Sequence, residues 1–301
     1  MKAIAMGVHV LDVLVRPVEE IPEGQGGELV EQIRITAAGS AGGFALVLAR
    51  LGAEVQSAGA IGKDAVGDML LGLLERDGVD TSLLLRRDDV QTSASVLPIR
   101  PTGERPAFHV IGANGTYGVD DAPWDAIEQC THLHIGGPEF MGGEAAAQIL
   151  SRAREHGAVT SADVLAPGEP GLLEWIGPAL PQLDYLLPNE EQVLAFTGES
   201  DLVGGCHALV KRGVSCVVAT RGADGALIVD AQTEESVPAL EIDVVDTTGC
   251  GDAFSAGFLR GLSLGRSRKD AAALGCAVAA EVAQGLGTDY GDYNLATFDT
   301  K

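Results

Sequence analysis

Asp246-Thr247-Thr248-Gly249-Cys250-Gly251-Asp252-Ala253-Phe254 separates a strand-like run ending at Val245 from a helix-like run of Ala253, Phe254, Ala256, Gly257, Phe258 and Leu259. A glycine-rich turn into a helix start aims several backbone N–H groups, and the positive end of the helix dipole, at one point. Such a point suits an anion, phosphate above all. Asp252 stands in the same turn, where its charge would repel a resting anion. It makes chemical sense there if it takes a proton from an attacking hydroxyl while neighbouring amides stabilise a transferring phosphoryl group. An Asp near a helix start also simply complements the dipole. On this segment alone that plainer reading has the edge.

Further segments shift the balance. Ala38-Gly39-Ser40-Ala41-Gly42-Gly43-Phe44-Ala45 runs into a helix-like stretch, and Ile61-Gly62-Lys63-Asp64-Ala65-Val66-Gly67 leads to Gly78-Val79-Asp80. Pro188-Asn189-Glu190-Glu191 and Thr220-Arg221-Gly222-Ala223-Asp224-Gly225 follow. Together with 246–254, this ordered set resembles the ribokinase-like (PfkB) carbohydrate kinase family from Gly7 to about Gly287. The family signature Asp-Thr-x-Gly-Ala-Gly-Asp-x-Phe differs here at Cys250, where Ala is usual. One glycine motif is weak evidence; five in order are strong.

The resemblance implies an α/β fold: a three-layer α/β/α domain over residues 1–301, with a mainly parallel sheet. A small β-sheet lid would come from about 13–37 and 91–112. The alternation of the chain agrees. Strand-like runs at 3–7, 55–60, 132–135, 158–163, 185–188, 216–220 and 226–229 interleave with helix-like runs at 43–51, 67–77, 143–156, 190–196, 202–212, 253–262 and 268–283. That pattern reads as βαβ units. Residues 28–36, and a hairpin of 93–100 and 105–111 around Pro101-Thr102-Gly103, break it and read as lid strands.

Composition narrows the function classes. A chain of 301 residues suffices for one large α/β domain. A formal net charge of −23 argues against a nucleic-acid partner or an anionic membrane surface. Five scattered cysteines form no Cys-x-x-Cys pair, which argues against structural zinc and a disulfide framework. No uninterrupted apolar stretch approaches the ~18 residues of a membrane span, and no signal sequence precedes the first strand. The expected location is cytoplasmic. No Walker A loop occurs, because Gly62-Lys63 is followed by Asp64.

The resemblance then assigns roles to positions. Asp252 would be the general base of an ATP-dependent, magnesium-requiring kinase acting on a primary hydroxyl of a sugar or sugar-like acceptor. Backbone N–H groups of Gly249, Cys250 and Gly251 would stabilise the transferring group. Asp12 with Gly39, Gly42 and Gly43 would orient the acceptor, with Asn114 and Asp163 as further contacts. A carboxylate accepts two hydroxyl hydrogen bonds at once, which suits a vicinal diol. Asn189, Thr220, Gly222 and Gly225 fall on the ATP side. Potassium would bind at Asp246 and Thr248, completed by the loop around Gly287. A homodimer would form through the lid. Arg105, in the hairpin, reads slightly better as a solvated charge than as a substrate contact.

Three departures qualify the reading. Gly43 stands where the family commonly has Asn, and Val10 where ribokinases proper have Asn, so ribose itself is doubtful. Gln192 replaces the Glu of the Asn-x-x-Glu motif, which leaves Glu190 or Glu191 as indirect magnesium partners. Two alternatives stay open: a nucleoside kinase of the same fold, with Phe108 and Tyr117 available to stack on a base, and a sugar- or nucleotide-binding sensor with little turnover. A dinucleotide oxidoreductase is disfavoured, since no Gly-x-Gly-x-x-Gly follows the first strand.

Overall fold

The structure is a computed structural model that describes residues 1–102, 104–165 and 171–298. Gly103, the turn residue read from the sequence, lies outside the described residues. The strands are β1 (Lys2–Gly7), β2 (Val10–Arg16), β3 (Gln32–Ala38), β4 (Glu54–Gly62), β5 (Asp80–Arg87), β6 (Ala94–Pro98), β7 (Phe108–Val110), β8 (His132–Gly136), β9 (Val159–Asp163), β10 (Tyr185–Leu186), β11 (Cys216–Thr220), β12 (Ala226–Asp230) and β13 (Glu234–Val237). Among the described residues, nine of them form one sheet in the order β13-β12-β11-β10-β9-β8-β1-β4-β5. Pairing is parallel from β5 across to β11, and β12 and β13 are antiparallel.

The longer helices are α1 (Ser40–Arg50), α2 (Ala65–Arg76), α3 (Gly143–Glu155), α4 (Glu190–Thr197), α5 (Leu202–Lys211), α6 (Cys250–Ser263) and α7 (Arg268–Val282). Two apolar clusters lie one on each side of the sheet. Phe44, Leu70, Phe258 and Leu274 of α1, α2, α6 and α7 pack in the first. Ile149, Val193 and Leu209 of α3, α4 and α5 pack in the second. Parallel strands buried on both faces in this way read as continuous apolar runs, which is why the central strands were visible in the sequence.

A second sheet has the order β3-β2-β6-β7. Two of its faces differ sharply in chemistry. Asp12, Leu14, Ser95 and Leu97 are buried on one. The other carries a row across all four strands, Ile35 opposite Val13, Val13 opposite Val96, and Val96 opposite Phe108. Phe108 is 63% exposed there.

The order of the large sheet reverses beside β1: the chain runs out through β4 and β5, then returns on the other side through β8 to β11. In open α/β sheets ligands bind outside the carboxyl ends of the strands at such a switch point. Gly7 and Gly136 end β1 and β8 opposite one another. A Cβ on Gly7, whose φ is +121°, would run into the Gly136 carbonyl. The bare backbone there leaves the crevice open for β2 and α1 to begin.

Helices α6 and α7 pack through small residues. A Cβ on Gly257 would lie 2.9 Å from Gly275 Cα, and one on Gly261 2.7 Å from Ala271 Cα. This contact fixes the axis of α6 and so the position of the turn at its start. Gly257→Val should therefore destabilise the protein by about 1–3 kcal/mol through overpacking, read as a lower urea midpoint with unchanged slope. An unchanged midpoint would contradict the close contact.

Candidate active site

Seven long helices start in two different ways. Asp64, Asn189, Asp201 and Ser267 cap α2, α4, α5 and α7 with their own side chains. Helices α1 and α6 instead start after Gly39 and Gly249, at φ +84° and +77°, with no side-chain cap; α3 does likewise after Gly142. The starts of α1 and α6 meet. A Cβ on Gly43 would run into the Asp252 carboxylate, and one on Gly249 into the Thr288 hydroxyl. An uncapped helix start can leave N–H groups for a ligand, but at α1 the Ala41 and Gly42 amides donate to Val8 O and the Gly43 amide to Gly39 O. In α6 the first intrahelical bond is Ala253 N–H to Gly249 O, so the Gly251 and Asp252 amides precede it. The Cys250 amide turns back to Thr247 O at 3.3 Å, an engagement the sequence did not reveal.

Carboxylates converge on this point. Asp252 keeps part of its surface open to the crevice, yet close-packed protein hems in its carboxyl. Burial, then the neighbouring charges of Asp163 and Asp12, raise its pKa well above the usual carboxylate range, and Arg105 opposes them. Asp12, on β2, is buried and pushed up to about 6 by desolvation, against a hydrogen bond from Ser95 and the charge of Arg105. Asp163 ends β9, buried. Arg105 departs from the sequence expectation of a merely solvated charge. It is exposed along its length, but its guanidinium reaches over the site and donates to Thr248 Oγ1 at 2.6 Å.

Asp246 organises the turn below. Its Oδ1 accepts from Thr248 N–H at 3.0 Å and from the Thr248 hydroxyl at 2.8 Å, and its Oδ2 accepts from Gly287 N–H at 3.3 Å. Asp246, Thr248 and the loop at Gly287 are thus brought together. Asn114 does a different task from the one expected. Its side-chain oxygen accepts from His9 N–H at 3.1 Å and its amide donates to His9 O at 3.0 Å, which pins the link between β1 and β2. Half of its four hydrogen-bonding sites are spent on backbone. Gly42 lies against the His9 ring, and burial pushes that imidazole down to about 4, so it is neutral.

On the other side of α6, a cleft of about 440 Å³ has an apolar lining that includes Leu240, Ile242, Val244, Phe254, Ala280 and Ala283. Thr220, Gly222, Gly225, Cys250 and Gly251 border it. A parallel bridge between Asn189 and Thr220 joins the two loops, and Thr220 N–H donates to Pro188 O at 3.0 Å. The segment 239–244 was not found from the sequence, because it carries neither periodicity nor motif. The Cys250 thiol, beside the cleft, is pushed up to about 12 by burial and by Asp246.

Gln192 explains its own departure from the acidic residue. It completes a capping box with Asn189, with N–H···O distances of 2.8 and 2.9 Å, and its amide donates to Val164 O at 2.7 Å. A Glu would keep the box but face a carbonyl with a carboxylate. Glu190 is half-buried and Glu191 exposed on α4. Among the described residues, no group of three or more His, Cys, Asp and Glu side chains could hold a metal ion. The base-stacking candidates are not displayed to the site either: Tyr117 lies in the core, and Phe108 points to the lid face opposite Asp12. No helix among the described residues is long and apolar enough to cross a membrane.

Residues 6–293 match the pfkB family carbohydrate kinase. An uncharacterized sugar kinase of Archaeoglobus fulgidus is 29% identical, over 81% of this chain and 97% of its own length. A nucleoside kinase of Methanothermobacter thermautotrophicus is 27% identical, over 95% and 90%. A solved structure of a putative ribokinase II from E. coli in complex with ATP and magnesium superposes with a TM-score of 0.87. At 22% identity it covers 99% of this chain and 98% of its own.

The buried Asp12 carboxyl has a measurable consequence. Its pKa is higher folded than unfolded, so the folded state binds the proton more tightly. This contribution favours folding below the ordinary carboxylate range and is lost as pH rises through about 6. Asp12→Asn should therefore gain stability relative to wild type between pH 4 and pH 7, by on the order of 3 kcal/mol. Urea unfolding of the ligand-free proteins at both pH values checks it. A stability difference independent of pH would refute the burial argument.

Proposed function

Because this chain belongs to the pfkB family of carbohydrate kinases, we propose that it transfers the γ-phosphoryl group of ATP to a primary hydroxyl of a sugar or sugar-like acceptor. The observation that carries this is the contact of the two uncapped helix starts around Asp252, with Asp12 on one side and the apolar cleft on the other. The acceptor lies between Asp12, Asp163 and the turn 39–43, and its hydroxyl faces Asp252, which takes the proton as the phosphoryl group arrives. Amides of the turn 249–252 stabilise the charge in transfer. The base of ATP occupies the cleft, with Thr220, Gly222 and Gly225 beside it, and Asn189 fixes the adjoining loop.

Kinases of this family use ATP with magnesium. The acidic side chains here do not form a protein cage, in keeping with an ion held mainly by phosphate oxygens and waters. Glu190 and Glu191 would act on it only indirectly. Bound magnesium neutralises phosphate charge. A potassium ion would sit below the turn beside the oxygens of Asp246 and Thr248, which the Gly287 amide holds in place through Asp246 Oδ2. Arg105 closes over the acceptor from the lid, and the exclusion of water there prevents hydrolysis. Five unpaired thiols favour a reducing, cytoplasmic setting. A sugar acceptor is favoured over a nucleoside, since Phe108 and Tyr117 do not face the site.

Asp252→Asn should lower kcat by ~10²–10⁴ while leaving ATP affinity nearly unchanged, because Asn keeps the shape but takes no proton. Coupled ADP release, run first on wild type against sugars, keto-deoxy sugar acids and nucleosides, measures it. Near-normal kcat in the variant would remove the base assignment. A nucleoside preferred over every sugar would favour the second acceptor class.

The outer lid row is uncharged on a chain of net charge −23. It is the face on which two copies would approach with least repulsion, and the one where a homodimer would bury apolar side chains. Light scattering should give a dimer mass for wild type and a monomer mass for Phe108→Lys. A monomeric wild type at tens of micromolar would end the dimer reading.

A further inference from the structure

Beside the acceptor crevice, one buried histidine has no part in the mechanism above. His134 on β8 lies opposite Ser161 on β9, and Gly136 opposite Asp163. Gly136 itself lies against the start of α1, where a Cβ would run into Ser40 and the Ala41 amide. Its Nδ1 is 2.9 Å from Ser161 Oγ, and its Nε2 is 3.6 Å from Asp163 Oδ2. The Phe44 ring stacks on it at 4.0 Å between centroids and 20° between planes. His134 is 1% exposed. Both His134 Nε2 and Asp163 Oδ1 are buried polar atoms without a hydrogen-bond partner.

A nitrogen lone pair facing a carboxylate in a buried place is repulsive, so Nε2 carries a proton. The Ser161 hydroxyl accepts or donates equally well, which leaves Nδ1 able to be protonated too. Charge balance decides that point. Asp252 on α6 faces Asp163 from β9, Asp12 from β2, the Cys250 thiol of its own turn, and Arg105 from the lid. Asp12 in turn faces Asp246. Several carboxylates with one arginine leave an excess of negative charge, which would keep a proton on the base that must be ionised to act.

We propose that His134 is a positioning residue for phosphoryl transfer: as an imidazolium it holds Asp163 toward the acceptor and supplies the positive charge that lets Asp163 and Asp252 be ionised together. The proposal rests on the kinase reading above for its purpose, though not for its charge state. Phe44 supports it, since an aromatic face stabilises a cation set against it. Asp163 Oδ2 is engaged by the ring, and the unpartnered Oδ1 is left for a hydroxyl of the acceptor.

Two measurements test it separately. In ligand-free protein with 15N-labelled histidine, long-range proton–nitrogen spectra between pH 5.5 and 8 report each ring. The His134 signal is identified by its loss in His134→Gln. In wild type both ring nitrogens should carry a proton at pH 7, and in Asp163→Asn one of them should not. A neutral ring at pH 7 in wild type would overturn the proposal whether or not the protein is a kinase. For the acceptor returned by the substrate screen, His134→Gln should move the acidic limb of the kcat/KM profile upward by about one pH unit. A merely structural role would lower activity without moving that limb. An unmoved limb in a variant that melts within a few degrees of wild type would also overturn it. Failure of every acceptor in the screen would count against the kinase reading and leave the spectra to decide the charge.

Discussion

The starts of α1 and α6 press together so closely that residue 43 has room only for hydrogen. This contact governs the rest of the site. It sets the free Gly251 and Asp252 amides of α6 against the glycine turn of α1, whose own amides are held by the Val8 and Gly39 carbonyls, and it crowds the Asp252 carboxyl enough to raise its affinity for protons. It also accounts for glycine at position 43, since the space a side chain would need is taken by the Asp252 carboxylate. A Gly43→Asn change would have to push the proposed base aside.

Around that contact, the scaffold is built from what is absent as much as from what is present. Gly7 and Gly136 clear the crevice, Gly136 also lets the start of α1 lie on β8, and Gly257 and Gly261 let α7 lie on α6. Polar side chains lock the periphery instead. Asp64 caps α2 and also binds the amide and hydroxyl of Thr92, so the strand entering the lid is tied to the main sheet at 2.7–2.8 Å. Asp289 does similar work for the loop after α7, with Arg34 of β3 and Arg76 of α2 on its two oxygens. The lid is thus tied to the main domain at two places, with Arg105 in the segment between β6 and β7.

Much of the architecture was legible because parallel strands buried on two faces and helices with one apolar side write themselves plainly. The turn 249–252 was legible for a different reason: alone it reads as a plain helix start, and only its place in an ordered set of five motifs pointed to an anion site. The strand-like run read before it, ending at Val245, is not a strand, since β13 ends at Val237. Strand β2 was not legible, since it follows β1 after only two residues and its apolar run, Val10–Arg16, reads as an extension of the first strand. Strand β3 begins at Gln32 rather than 28, because exposed residues before it have no partner strand. Side-chain tasks were the least legible. Nothing in Gln192 reveals the Val164 carbonyl beside it, nothing in Asn114 reveals His9, and Arg105 lies 143 residues from the hydroxyl it binds. Such pairings depend on contacts between distant segments, which local patterns do not encode.

The acidic lining also bears on how a turnover ends. On the proposed reaction the acceptor enters as a polyol, whose hydroxyls are natural donors to carboxylates. It would leave as a phosphate ester, an anion of nearly two charges at neutral pH, beside Asp12 and Asp163, while Asp252 holds the proton it has taken. The walls that orient the alcohol would then weigh against the ester, offsetting its attraction to the amides of the turn 249–252 and to Arg105. The same carboxylates would thereby give the cycle a direction that tight recognition of the product would deny it.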